Sequence, residues 1–134
     1  MSSEEKYVLY YFNVNARGCI PRAILSYVKA NWENKVLEYN DFVQNYKKKT
    51  EFCEYGQLPI LEYKGRFYSQ SMAISLFLGK KYNLLGENEE QEYEIIIYYV
   101  LLKIYFLWFM TQRKIIKKNT KKWEGILKFT KINI

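Results

Sequence analysis

The stretch Gly56–Leu78, GQLPILEYKGRFYSQSMAISLFL, decides the fold. Pro59 stands directly before the β-prone run Ile60–Tyr63. A proline cannot donate to a sheet ladder, so it marks an edge or a special backbone. Lys64-Gly65 is a two-residue turn with glycine, the common hairpin solution, which makes the following residues the returning strand. Ser71 then reads as the cap of an apolar helix over Ser71–Leu84, with Gly79 near its end. A helix N-terminus presents free backbone N–H groups and attracts anions. A special backbone beside such a terminus suits a small, partly anionic, peptide-like ligand.

Working outward, Lys6–Phe12 is apolar and β-prone and predicts a first strand. Asn13–Gly18 is rich in turn residues. The segment Cys19–Trp32 predicts a helix, with Ile20, Ala23, Ile24, Tyr27 and Val28 on one face and Pro21 in the first turn. A second strand is expected around Lys35–Glu38. The polar segment Phe42–Gly56 is expected to be a short helix and a loop. The order β-α-β-α-β-β-α, with helices between the early strands and a closing hairpin, predicts an α/β, thioredoxin-like domain. Leu84–Gln91 reads as a linker, dividing the chain into residues 6–86 and a short helical part over 87–134.

The composition excludes several chemistries. The 134 residues include no histidine, which removes Ser-His-Asp and Cys-His catalysis. Two isolated cysteines, Cys19 and Cys53, make neither a zinc site nor a disulfide framework. No metal is expected. The acidic start MSSEEKYVLY does not have the pattern of a signal peptide, so a cytoplasmic, reducing location is expected. Eight cations and one acid from Thr111 onward carry the whole net charge of +7, while residues 1–110 hold thirteen of each sign. A basic tail without a basic body or a recognisable motif predicts no specific nucleic-acid binding and reads as a solvated end.

The run Ile95–Met110 is sixteen residues long with Lys103 as its one charge. A membrane span needs about 20 residues, and a central lysine costs about 2.5–3.5 kcal/mol on insertion. No span is expected. Ile95, Tyr99, Leu102, Phe106 and Phe109 form one apolar stripe, and Leu101, Tyr105 and Trp108 another. Two stripes need two covers, so one is expected to meet a partner, as a homodimer or within a larger protein complex.

The segments YVLYYFNVNARGCIPR and GQLPILEYKGRFYSQSMAISLFL together resemble the cytosolic glutathione transferases, most closely their sigma class, over about residues 6–110. The resemblance implies a thioredoxin-like glutathione-binding domain followed by a shortened helical domain. It implies glutathione as co-substrate, with its thiol activated for attack on a small electrophile. Tyr11 matches the family's catalytic tyrosine, whose hydroxyl donates to the thiolate, and Arg17 its neighbouring arginine. Tyr10 precedes Tyr11, and strand alternation puts the two on opposite faces, so only one can serve. Leu58-Pro59 matches the family's cis-proline step, where Leu58 would pair with the cysteinyl unit. Gln57 would reach the glycyl end, and Gln70 and Ser71 would hold the γ-glutamyl group. Phe42 and Lys47 are the nearest candidates for the aromatic and lysine that hold the glycyl carboxylate.

The sequence departs from the family's pattern at Ala16, where a glycine is usual, and at Cys19, where a glutamate is common. The helical domain that walls the family's electrophile pocket continues well beyond this length. A non-catalytic subunit docked in a larger assembly is therefore the alternative reading.

Overall fold

The computed structural model describes residues 5–116, and the side chains of residues 5–104. Strand β1 (Tyr7–Tyr11) leads through a 3-10 turn (Ala16–Gly18) into helix α1 (Cys19–Tyr27) and strand β2 (Trp32–Val36). A short helix α2 (Tyr39–Asp41) continues as a π-helical turn over Phe42–Tyr46. Strands β3 (Ile60–Tyr63) and β4 (Arg66–Ser69) precede helix α3 (Ser71–Lys81), and a long helix α4 spans Glu89–Ile116. The four strands form one sheet in the order β2-β1-β3-β4. β1 runs parallel to β2 and antiparallel to β3, and β3 pairs antiparallel with β4. This is the expected thioredoxin-like layout.

The chain divides into two compact units, Met1–Glu87 and Asn88–Ile134. In the first, β3 is buried on both sides, as its apolar run requires. On one face Leu9 and Leu61 pack with Leu25 of α1 and with Ile74 and Leu78 of α3. On the other face Tyr10, Ile60 and Leu58 pack with Phe42 and Cys53. Lys64 and Gly65 both take left-handed backbone, with φ of 49° and 72°. A two-residue hairpin turn needs this to match the twist of its strands.

Several details differ from expectation, among them the end of α3, which stops at Lys81 and not at Leu84. β2 lies at Trp32–Val36, because its register is set by pairing, from Tyr7 opposite Trp32 to Tyr11 opposite Val36. It is an edge strand with exposed side chains after Trp32, so it carries no hydrophobic alternation to read. α1 stops at Tyr27 because Lys29 turns left-handed, with φ of 53°. Ser71 is the first residue of α3 and not its cap. The capping position is Gln70, whose own φ of 68° begins the helix, and no side chain caps it.

At the far end of the sheet, Tyr7 and Tyr63 stack at 4.5 Å, and Tyr82 donates its hydroxyl proton to the Tyr7 oxygen at 2.9 Å. Burial, then the Tyr82 contact, raises the Tyr7 phenol above its ordinary value. Glu5 bridges Lys64 (2.6 Å) and Lys81 (3.1 Å), and Lys81 also donates to the Tyr63 hydroxyl at 2.7 Å.

In the second unit, α4 begins with an acidic first turn, Glu89, Glu90 and Glu92, at its positive dipole end. Ile97, Val100, Leu101, Leu102 and Ile104 are exposed. Tyr105, Phe106, Trp108 and Phe109 lie beyond the described side chains. The basic tail lies largely outside the described residues. No helix of the described residues is long and apolar enough to cross a membrane. Among the described residues no group of three or more Cys, Asp or Glu gathers as a metal site.

The Glu5 clamp makes a pH prediction. Its carboxyl is held down to about 2, first by the Lys64 hydrogen bond, then by Tyr63 and Lys81. A depressed folded pKa contributes stability above the ordinary carboxylate pKa of about 4.5, and that stability is lost as pH falls toward 2. The melting temperature of Glu5→Gln should therefore fall less steeply than wild type between those two pH values. Equal slopes would mean that the clamp contributes nothing in solution.

Candidate functional site

The end of β1 and the turn that follows it build one half of the site. The Tyr11 ring is buried, 5% exposed, and its hydroxyl oxygen accepts the Arg17 backbone N–H at 3.1 Å. The turn can close this tightly because residue 18 is glycine. A Cβ there would stand 2.3 Å from Tyr11 Cδ1 and 2.9 Å from Cγ, closer than any side chain tolerates. The hydroxyl has thus filled an acceptor position, while its own proton has no partner among the described residues. A phenol in this state can donate to an incoming anion.

Tyr10 is committed elsewhere. Its hydroxyl donates to Glu62 Oε2 at 2.7 Å, and burial, reinforced by that carboxylate, raises its phenol above the ordinary value. Both tyrosines touch one hydrophobic cluster, yet their rings part as strand alternation predicts: Tyr11 lies against Gly18 and Arg22 at the start of α1, and Tyr10 packs edge-on against Phe52. Hydrogen bonding separates them as well.

Arg17 meets Tyr11 through its backbone, and the residue is exposed. The cation over the ring is Arg22, one turn into α1, with Cζ 5.4 Å from the ring centroid. Arg22 also donates to the carbonyls of Phe12 (2.9 Å) and Val14 (2.6 Å) and to Asn34 Oδ1 (3.1 Å). It ties the loop after β1 to β2 and sets the path of the turn. Local sequence pattern does not mark Gly18 or Arg22. The only signal was their place in the loop–helix junction after the tyrosine.

The other half gathers around Gln57 and Gln70. Their side-chain amides meet, Gln70 Nε2 donating to Gln57 Oε1 at 3.4 Å. The Leu58–Pro59 peptide bond is cis. The buried Cys53 thiol donates to the Gln57 carbonyl at 3.3 Å, and burial raises its pKa. Lys47 runs beside Gly56, which has a φ of 62°. Lys47 Cγ is 3.6 Å from where a Gly56 Cβ would be. Lys47, Gln57, Leu58, Gln70 and Ser71 are thus brought to one region.

Gln70 is a non-glycine residue with φ of 68°, a conformation that persists only where its surroundings enforce it. Its carbonyl accepts the Ile74 N–H at 2.9 Å, so α3 is wound from this residue onward. With no side-chain cap, the first-turn N–H groups remain available. Ser71 is 4% exposed, and its carbonyl accepts the Ser75 hydroxyl at 2.7 Å. Phe42 is not presented with these groups. It is 5% exposed and packs edge-on against Phe12 at 5.6 Å. The arrangement as a whole offers a phenol donor on one side and amides, a lysine and an uncapped helix end on the other.

No family model matches the chain. Glutathione S-transferase 2 of Manduca sexta is 40% identical over 67% of this chain and 42% of its own length. The glutathione S-transferase of Plasmodium falciparum is 30% identical over 88% of this chain and 61% of its own. The solved Pi-class glutathione S-transferase of Onchocerca volvulus superposes with a TM-score of 0.72 at 27% identity, covering 79% of this chain and 49% of that one. The chain spans about half the length of the relatives it matches. By its sequence and structural neighbours alike, it groups with the glutathione S-transferase family.

Proposed function

We propose that the chain binds glutathione and activates its thiol for attack on a small electrophile, in the manner of a sigma-like transferase. The observation that carries this reading is the Tyr11 hydroxyl, which accepts the Arg17 N–H and keeps its own proton to donate. A free thiol with a pKa of about 8.5 is only a few per cent ionised at neutral pH. A phenol donating to sulfur favours the thiolate, the Arg22 cation over the ring acts in the same sense, and the resemblance gives Arg17 the same role.

Glutathione would lie with its γ-glutamyl carboxylate on the α3 N-terminus at Gln70 and Ser71. Its cysteinyl unit would pair with the Leu58 backbone, and its glycyl end would reach Gln57 and Lys47. The Gln57–Gln70 contact and the uncapped helix support this pose. Phe42 would act from beneath, through the cluster it shares with Tyr11 and Leu58. Domains over 6–86 and 87–134, and a cytoplasmic location, belong to the same reading.

A second reading is a non-catalytic transferase-like subunit in a larger assembly, favoured by the exposed apolar residues of α4. The same residues suit a homodimer. At micromolar concentration the purified chain should sediment as a dimer or larger, and Leu101→Lys with Leu102→Lys should shift it toward monomer. A wild-type chain that sediments as a compact monomer would exclude both uses of the helix.

For binding, the chain should be retained on immobilised glutathione and released by free glutathione. Ser71→Ala should weaken binding by about 1.5–3 kcal/mol, the worth of a hydrogen bond to a charged group. Undiminished affinity in Ser71→Ala would remove the anion site from this helix end.

For chemistry, Tyr11→Phe should slow conjugation of glutathione to a dinitrohalobenzene by about ten- to a hundredfold, the loss of one charge-assisted hydrogen bond. It should also raise the apparent thiol pKa, with little change in glutathione affinity. Tyr10→Phe should do neither, because its proton belongs to Glu62. Glutathione binding without turnover in the wild type would favour the subunit reading.

A further inference from the structure

β2 is an outer strand of the sheet, and no described strand pairs with its free edge. Its backbone groups divide between two directions. The Asn31 carbonyl accepts the Tyr7 N–H at 3.0 Å, and the Leu37 N–H donates to the Tyr11 carbonyl at 3.0 Å. Alternate residues of a strand bond to the same side, so Glu33 and Lys35, in step with Asn31 and Leu37, also bond to β1. The N–H and C=O groups of Trp32, Asn34 and Val36 therefore point outward, a row open to an added strand.

The side chains of β2 alternate between the two faces of the sheet. On the side of α1, Trp32 packs against the core and Asn34 Oδ1 accepts the Arg22 Nε–H at 3.1 Å. On the other side stand Glu33 and Lys35, both exposed. Glu33 is bridged to Lys6 at 2.9 Å, and Lys35 Nζ lies 5.5 Å from the centre of the Tyr10 ring. A lysine alone on an edge repels a second copy, but a lysine and a glutamate two residues apart make the edge complementary to itself. Turned about a two-fold axis at Asn34, the strand WENKV sets Glu33 opposite Lys35 of the copy, Lys35 opposite Glu33 and Trp32 opposite Val36. Both charge pairs fall at non-hydrogen-bonded positions, where opposing side chains stand closest, while Trp32, Asn34 and Val36 exchange backbone hydrogen bonds. A slip of two residues in either direction sets Glu33 against Glu33 or Lys35 against Lys35. A slip of one sets outward-pointing backbone groups against inward-pointing ones. A single antiparallel register thus satisfies both backbone and charge.

From this self-complementarity we infer that β2 pairs antiparallel with β2 of a second copy of this chain, about a two-fold axis at Asn34, joining two four-stranded sheets edge to edge. The contact is isologous, so each copy supplies both the donor and the acceptor of every pair. The backbone bonds supply the attraction, and the two Glu33–Lys35 pairs select the register. A contact of one short strand on each side is small, so the association is weak and reversible. It uses none of the exposed apolar residues of α4 and none of the groups assigned to glutathione.

The test is sedimentation of the full chain carrying Leu101→Lys and Leu102→Lys, which keeps association through α4 out of the measurement. Reversible dimerisation of this parent is expected on raising its concentration to about 0.5 mM, as suits a small interface. Added to the parent, Lys35→Glu sets Glu33 against a glutamate at both ends of the pairing, and Glu33→Lys sets Lys35 against a lysine. Each should weaken self-association about tenfold or more. A mixture of these two variants regains both opposite-charge pairs and should dimerise as the parent does, which shows that neither variant lost its fold. Val36→Pro removes an outward N–H, leaves the bonds to β1 in place, and should weaken association without any change of charge. Three results would overturn the proposal. They are a parent that stays monomeric at the highest concentration, association unchanged in both Lys35→Glu and Val36→Pro, or a mixture of the two charge variants that stays monomeric. Retention on immobilised glutathione should be the same for the parent and its variants, which separates this test from that of the glutathione site.

Discussion

β1 is hydrogen-bonded along both edges, to β2 in parallel and to β3 antiparallel, and both of its faces carry packed side chains. Everything else hangs from that strand. Its pairing with β2 fixes where α1 must return the chain. Its pairing with β3, from Tyr7 opposite Tyr63 to Tyr10 opposite Ile60, sets the Leu58–Pro59 segment, just before the start of β3, beside the end of β1. The two halves of the candidate site are thus held at neighbouring strand ends of one sheet. Covered on both sides, these strands leave little room for the halves to drift apart.

The first half depends on a missing side chain. The Tyr11 ring occupies the space in which a Cβ at residue 18 would sit, and this proximity brings the Arg17 N–H to the phenol oxygen. Arg22 holds the loop in that path by donating to two of its carbonyls. One backbone donor and one glycine therefore decide the hydrogen-bonding state of the phenol. The neighbouring Tyr10, equally apolar in its surroundings, ends as a donor to Glu62.

The second half depends on backbone that ordinary residues avoid. Gln70 has positive φ, and Gly56 does as well. The Gln57–Gln70 contact and the Cys53–Gln57 hydrogen bond tie these two places together. Because Gln70 takes the capping position without capping, the end of α3 keeps its donors unspent. The other end of the same helix carries Lys80 and Lys81, which suit its negative dipole.

Much of this was legible in the chain itself. The Lys64-Gly65 turn declares a hairpin, because the left-handed backbone of a two-residue turn favours glycine. The apolar runs at β1 and β3 and the polar pair before an apolar helix marked the element order, while the family resemblance pointed to the residues of the second half. What sequence could not decide were contacts between segments far apart along it. The choice between Tyr10 and Tyr11 rested on Glu62, fifty-two residues from Tyr10. The burial of Phe42, the role of Arg22 and the extent of β2 likewise follow from neighbours brought up by the sheet. Local patterning sets which segments become strands and helices, because it acts through steric and hydrogen-bonding preferences within a few residues. Which hydroxyl keeps its proton, and which cation lies over which ring, depends on tertiary proximity, and only the folded chain supplies it.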